Sequence, residues 1–199
     1  MKVLGLTGGV GMGKSACAEL LRARSLPVVD TDQLARSVVE PGQPALDEVK
    51  SAFGPEILGP DGRLRRDELA RRVFSDSAAR QKLEGILHPC IRRLWRAQVE
   101  TWRTEKHPLA IVVIPLLFET GAERELDTTL CLACSAATQQ KRLLARGWSP
   151  QQIQQRISAQ WPVDKKIAAA AFVIWTESDL ALHAAQLDRI LQRLGHPVS

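Results

Sequence analysis

The stretch Gly8-Gly9-Val10-Gly11-Met12-Gly13-Lys14-Ser15 carries the strongest chemical signature in the chain. Its spacing, Gly-x-x-x-x-Gly-Lys-Ser, is that of a phosphate-binding loop, provided that a strand precedes it and a helix follows. Both flanks fit. Lys2 to Thr7 is a short, mostly apolar run that reads as a buried strand, and Cys17, Leu20 and Leu21 then fall at helical spacing. The glycines lack a Cβ, so the backbone can curl and turn its N–H groups inward, and a helix N-terminus adds positive potential at the same place. Gly8, Gly9, Gly11, Met12, Gly13, Lys14, Ser15 and Ala16 are therefore the expected nucleotide-binding residues. Lys14 would reach the β- and γ-phosphates, and the Ser15 hydroxyl would bind Mg²⁺. The plainer reading, a glycine-rich turn with a surface lysine, does not explain the full motif in this setting.

Phosphoryl transfer needs alignment, a metal ion and positive charge, and a kinase also needs a carboxylate beside the acceptor hydroxyl. Leu26 to Val29 reads as a second strand ending in Asp30-Thr31-Asp32. Ligands in open parallel sheets bind beyond the carboxyl ends of strands. Asp32 is thus the expected catalytic base, in contact with the acceptor, while Asp30 could instead hold metal-bound water. Alternatively, either one caps the next helix. Arg142, Arg146 and Arg156 fall in a helical block that would form a lid, excluding water and neutralising transition-state charge. A single arginine on a helix is ordinarily a solvated residue; Arg146 has the best claim to catalysis. His88-Pro89 reads as the end of a helix, and a lone histidine is more often structural than catalytic. Charge alone leaves open whether Arg63, Arg65, Arg66, Arg71 and Arg72 meet acidic substrate groups or form a solvated face.

The elements that must position these groups fit one α/β domain of 199 residues with an inserted helical part. Hydrophobic content of 45% with 25% charged residues suits a globular protein. Nothing near the start resembles a signal peptide, and no stretch is apolar enough to cross a membrane, so a cytoplasmic location and no membrane partner are expected. A net charge of +5 suits a protein that holds phosphates and is weak support for nucleic acid, which is not expected as a partner. A monomer or weak homo-oligomer is expected. Cys131 and Cys134 form a Cys-x-x-Cys, but within an expected strand they would face opposite sides of the sheet, so buried, reduced thiols are expected rather than a metal site.

Gln33 to Glu40 reads as a helix broken at Pro41-Gly42-Gln43-Pro44. From Ala45 to about Thr104 the pattern is helical and basic, with apolar positions at Leu46, Val49 and Phe53, then at Leu69, Val73 and Phe74, then at Ile91, Trp95 and Val99. Leu109 to Ile114 is apolar on both faces, as in a covered parallel sheet. Strands are expected around Leu130 and over Phe172–Trp175, and helices over 136–146 and 151–160, the second with Ser149 as N-cap and Pro150 in the first turn. Leu180, Ala184, Leu187, Leu191 and Leu194 would form the core face of a closing helix. The expected organisation is a nucleotide-binding core of 1–44, 105–135 and 163–199, a helical acceptor subdomain at 45–104 and a lid at 136–162.

With these residues in hand, the chain resembles dephospho-CoA kinases over nearly its whole length. The resemblance rests on Leu6 to Ser15, on Val29-Asp30-Thr31-Asp32 followed by Ala35-Arg36 and Val38 to Gly42, and on Asp61 to Arg66. It continues through Leu87-His88-Pro89, Pro115-Leu116-Leu117-Phe118-Glu119 and Arg156-Ile157-Ser158-Ala159-Gln160. It implies ATP-dependent phosphorylation of the ribose 3′-hydroxyl of dephospho-CoA to give CoA and ADP, the last step of coenzyme A synthesis. It implies a P-loop NTPase three-layer fold with a parallel sheet, a helical CoA-side subdomain and a helical lid. By the same resemblance Asp32 is the base, Lys14 and Ser15 serve the phosphates and Mg²⁺, and Arg146 sits in the lid. Arg66, His88 and Arg156 then face the acceptor, and Arg142 the nucleotide. Competing readings are a kinase for another nucleoside or nucleotide, and a nucleotide-binding regulator; an intact Asp32 beside a complete loop favours catalysis. Met12 and Ala16 stand where the family usually has serine and threonine, Arg65 where it has aspartate, and Ala170-Ala171 and Thr176 replace Ala-Asp and a later asparagine. The loop changes spare the backbone cradle, whereas those near Thr176 are expected to lower ATP affinity or loosen nucleotide choice. An ATP Michaelis constant and nucleotide preference equal to those of a relative with the usual residues would overturn that expectation.

Overall fold

The computed structural model describes residues 1–196, without the side chains at 74 and 75. Phe74 and positions 197–199 of the expected core segment thus lie outside the described residues. In chain order the elements are β1 (Lys2–Gly8), α1 (Lys14–Ala23), β2 (Val28–Asp30), α2 (Thr31–Ser37) and α3 (Pro44–Phe53), then α4 (Arg66–Ser75), α5 (Ser77–Thr104) and β3 (Leu109–Val113). They continue as β4 (Thr128–Ala133), α6 (Ala136–Ala145), α7 (Pro150–Ser158), α8 (Val163–Ala169), β5 (Phe172–Trp175) and α9 (Leu180–Arg193).

The strands form one parallel sheet in the order β2-β3-β1-β4-β5. β1 is central, with Leu4 opposite Ile111 of β3 on one side and Thr128 of β4 on the other. Such a strand is covered on both faces, so its sequence is apolar without alternation. On one face Leu4, Leu6, Ile111 and Leu132 pack against Cys17 and Leu21 of α1 and Leu187 and Leu191 of α9. On the other, Gly5 lets the chain after β3 approach: a Cβ there would lie 2.5 Å from Leu126 and 3.2 Å from Leu117. This is the expected α/β architecture.

The chain divides into two compact units. One comprises Met1–Asp30 and the chain from Val99 onward and holds the sheet; the other is Thr31–Gln98. The second is helical apart from an antiparallel bridge between Leu58 and Leu64, and its core is a cluster of Val38, Val39, Leu46, Val49, Ile57 and Leu69.

Three elements differ from the sequence expectation. The helix does not end at His88-Pro89, because α5 runs on through Pro89. Proline withholds an N–H from the carbonyl four residues back and crowds it. Here that residue is Gly85, which is exposed, so water can meet the carbonyl that Pro89 leaves without its helical donor. Second, α8 has no apolar stripe to announce it, since its buried position is a lysine, Lys166. Third, the core face of α9 is His183, Leu187, Ile190 and Leu191, while Leu180 in its first turn is 56% exposed.

Candidate active site

β1 ends at Gly8 and the chain turns at once. Gly8 has φ 144°, and a Cβ there would fall 2.5 Å from the Leu132 carbonyl oxygen, so no side chain fits. Gly11 is left-handed at φ 77°, with Leu143 of α6 only 3.0 Å from its Cβ position. Gly13, also left-handed, is the N-cap of α1. A loop with left-handed glycines that opens into a helix N-terminus is an anion-holding backbone. Met12 is 2% exposed, and its sulfur lies 2.9 Å from the Cβ position of Gly9, so it fills the space beside that glycine. The Lys14 ammonium donates to the carbonyls of Gly8 (2.8 Å) and Gly9 (2.9 Å). Ser15 and Ala16 are exposed in the first turn of α1.

Side chains from three later elements hold this loop. Gln139 of α6 donates to the Val10 carbonyl at 2.8 Å, and Gln160, just after α7, accepts the Val10 N–H at 3.0 Å. Arg142 donates to the Gly11 carbonyl at 3.4 Å and to the Thr176 hydroxyl at 2.9 Å, and its second terminal nitrogen donates to the Thr176 carbonyl. Thr176, beyond β5, is 3% exposed, with its hydroxyl 3.3 Å from the Met12 and Ala133 carbonyls. The residue expected to disturb adenine contacts is thus bound to Arg142 and to the loop backbone.

A buried ionic group lies behind the loop. Lys166 is wholly buried; it donates to the Pro115 carbonyl at 2.7 Å and pairs with Glu119 Oε1 at 2.8 Å. The Thr7 hydroxyl donates to the same Pro115 carbonyl, and the Trp161 N–H to the same Glu119 oxygen. Glu119 Oε2 is buried without a partner among the described residues. Phe118 and Trp161 stack beside this group with centroids 6.3 Å apart. Burial pushes the Cys131 thiol up to about 11, against a smaller downward pull from Lys166 and Lys14. Burial also raises Cys134. Both are inert protonated thiols. Cys131 lies in β4 and Cys134 just beyond it, and all four cysteines are free. Among the described residues no group of His, Cys, Asp or Glu could hold a metal.

The structure therefore brings together the loop residues and Arg142. Arg146 is exposed at the C-cap of α6, and Arg156 is exposed with its guanidinium 4.3 Å over the Trp148 ring. Ser149 caps α7 in a reciprocal capping box with Gln152. Three predicted residues belong to the helical unit, where Asp32 is exposed in the first turn of α2 and His88 is exposed within α5. Arg66 opens α4, donates to the Arg36 carbonyl at 3.3 Å and lies 3.5 Å from Glu40 Oε1. Sequence reasoning gave no role to Gln139, Gln160, Glu119 or Lys166. Glu119 and Gln160 close two of the segments that carry the family resemblance, which is the only signal that could have marked them. Lys166 follows another lysine and reads as a solvated charge.

A parallel sheet of this order, with a phosphate loop leaving its central strand, is a P-loop nucleotide-binding fold. The sequence profile of the dephospho-CoA kinase family matches residues 2–181. A dephospho-CoA kinase of Anaeromyxobacter dehalogenans is 45% identical over 195 residues, covering 98% of this chain and 92% of that one. The crystal structure of TT1252 from Thermus thermophilus superposes with a TM-score of 0.84 at 36% identity, covering 97% of each chain. A dephospho-CoA kinase from Campylobacter jejuni shares the fold, with a TM-score of 0.70 at 24% identity over 96% of each chain. The chain belongs to the dephospho-CoA kinase family, which phosphorylates dephospho-CoA with ATP in the final step of coenzyme A synthesis. No helix among the described residues is long and apolar enough to cross a membrane.

Proposed function

We propose that this protein transfers the γ-phosphoryl group of ATP to the ribose 3′-hydroxyl of dephospho-CoA, releasing CoA and ADP. The observation that carries this is a complete phosphate loop, held between the central strand and α1, in a chain of this family. The loop backbone from Gly8 to Ala16 holds the phosphates, and Lys14 neutralises charge on the β- and γ-oxygens. Asp32 accepts the 3′-hydroxyl proton as the oxygen–phosphorus bond forms and the bond to ADP breaks. Residues 136–162 act as the lid, with Arg146 meeting charge that develops in transfer and Arg142 steadying the nucleotide side. Residues 45–104 form the acceptor subdomain, where Arg66 and His88 contact dephospho-CoA, with Arg156 joining from the lid.

Mg²⁺ suits the site, because an exposed hydroxyl on Ser15 at the loop's exit is the hard oxygen donor that this ion takes beside phosphate oxygens and water. Ser15 would hold the ion, which would supply charge neutralisation for the phosphates during transfer. Incubation of the purified protein with ATP, Mg²⁺ and dephospho-CoA should yield CoA and ADP in equal amounts. ADP formation only with a different acceptor would assign another kinase activity, and binding without transfer would assign a regulator.

A further inference from the structure

Val10 stands in the phosphate loop between Gly9 and Gly11, glycine being the residue type with the least restricted backbone. Glycine-rich backbone loses much conformational freedom when it is ordered, so such a loop binds weakly unless something fixes it beforehand. The Val10 residue is held from both sides. Its carbonyl accepts from Gln139 Nε2 at 2.8 Å and its N–H donates to Gln160 Oε1 at 3.0 Å. Gln139 is 7% exposed, with its amide nitrogen 3.3 Å from the Cβ position of Gly9, so it packs against the loop as well as bonding to it. Gln160 is anchored in turn by its neighbour: the Trp161 N–H is fastened to Glu119, whose charge Lys166 balances. Gln139 lies near the start of the segment 136–162 and Gln160 near its end, so both ends of that segment hang from one loop residue.

We propose that Gln139 and Gln160 are positioning residues that preform the phosphate loop through Val10. The Glu119–Lys166 pair is the fixed post for the second of them. This rests on the nucleotide role of the loop proposed above. It also constrains the lid, whose hinges lie inside 142–160 because Gln139 and Arg142 at one end and Gln160 at the other are tied to the loop.

The test compares wild type with Gln160→Met and Gln139→Met, which keep chain length but remove the acceptor and the donor. Binding of an ATP analogue with a non-transferable γ-phosphate is read by calorimetry, alongside Michaelis constants for both substrates and exchange of the Val10 amide proton by NMR. Each variant should weaken analogue binding and raise the ATP Michaelis constant about three- to tenfold, the scale of one hydrogen bond. The dephospho-CoA Michaelis constant should stay within about twofold. In Gln160→Met the Val10 amide should exchange faster while amides in the sheet keep their protection. Unchanged analogue binding in a folded variant would overturn the proposal, and so would an equal rise in both Michaelis constants. Failure of wild type itself to bind the analogue would instead overturn the nucleotide role of the loop.

Discussion

Lys166 and Arg63 each face a carboxylate at 2.8 Å, Glu119 in one case and Glu40 in the other. Lys166 is sealed inside the sheet-bearing unit, whereas the Arg63 side chain is 64% exposed in the helical unit. A buried pair keeps its partner because water cannot replace it, so it fixes geometry. An exposed pair exchanges with solvent and is screened by salt. The helical unit repeats the exposed form where Arg66 shares Glu40, and has a half-buried form where Arg72 meets both Glu56 (2.9 Å) and Glu68 (3.1 Å). One unit thus presents a fixed backbone cradle with its charges locked beneath, and the other a set of cations whose present partners a ligand can displace.

The sharpest way to break this comparison is to remove chemistry without touching the cradle. Asp32→Asn should lower kcat by about 10²–10⁴ while leaving ATP affinity nearly unchanged, as loss of a general base does. Lys14→Ala should reduce both transfer and ATP binding. Near-normal turnover of Asp32→Asn at neutral pH would remove it from the mechanism.

Next in size is the buried pair. Lys166→Met leaves the Glu119 charge buried without its cation and should cost about 3–5 kcal/mol in denaturant unfolding. Lys166→Met combined with Glu119→Leu should recover a large part of that loss, since neither charge then remains. A double variant as unstable as the single one would show that the hydrogen bonds to Pro115 and Trp161, not the charges, carry the stability.

A pH scan separates a third buried group from the exposed charges. Burial, and to a smaller degree the nearby Arg142 cation, hold the His183 pKa below its ordinary value of 6.5. The fold thus favours neutral His183, while the unfolded chain takes up a proton more readily. The sign follows: stability from this group is complete above pH 6.5 and is lost progressively as the pH falls below that value toward the lower folded-state pKa. Melting temperature should drop on acidification below 6.5, and His183→Gln should flatten that part of the profile. An unaltered profile in His183→Gln would place the acid sensitivity elsewhere.

The cradle was legible in the sequence because its requirements are local. Gly8, Gly11 and Gly13 are demanded by backbone angles, and Lys14 and Ser15 by a fixed offset from them. The sheet was legible for a similar reason, since Leu109–Val113 can only be a strand covered on both faces. What holds the cradle was not legible. Gln139 lies 129 positions from Val10 and Gln160 lies 150, and neither residue type announces a loop contact. Lys166 was hidden because polarity predicts exposure, and α8 was hidden with it because that lysine occupies its buried position. His183 misdirected the reading of α9 in the same way, giving its place on the core face to Leu180. The run through Pro89 escaped because the rule that proline stops a helix is weakest where the carbonyl it frees belongs to an exposed glycine.

The smallest expected effects lie in the exposed set, and there two arginines on one carboxylate can be told apart. Arg63 and Arg66 both reach Glu40, at 2.8 and 3.5 Å, and both are exposed. Either change to glutamine should cost at most about 1 kcal/mol of stability, and less in high salt. Their functional effects should differ. Arg66 is the proposed contact to the acceptor, so Arg66→Gln should raise the dephospho-CoA Michaelis constant by about tenfold, the scale of one charge-assisted hydrogen bond, with the ATP constant unmoved. Arg63→Gln should leave both constants within about twofold, because its role is to share Glu40. Equal effects of the two substitutions on acceptor binding would mean that the helical unit attracts its ligand by summed charge, with no single arginine assigned to it.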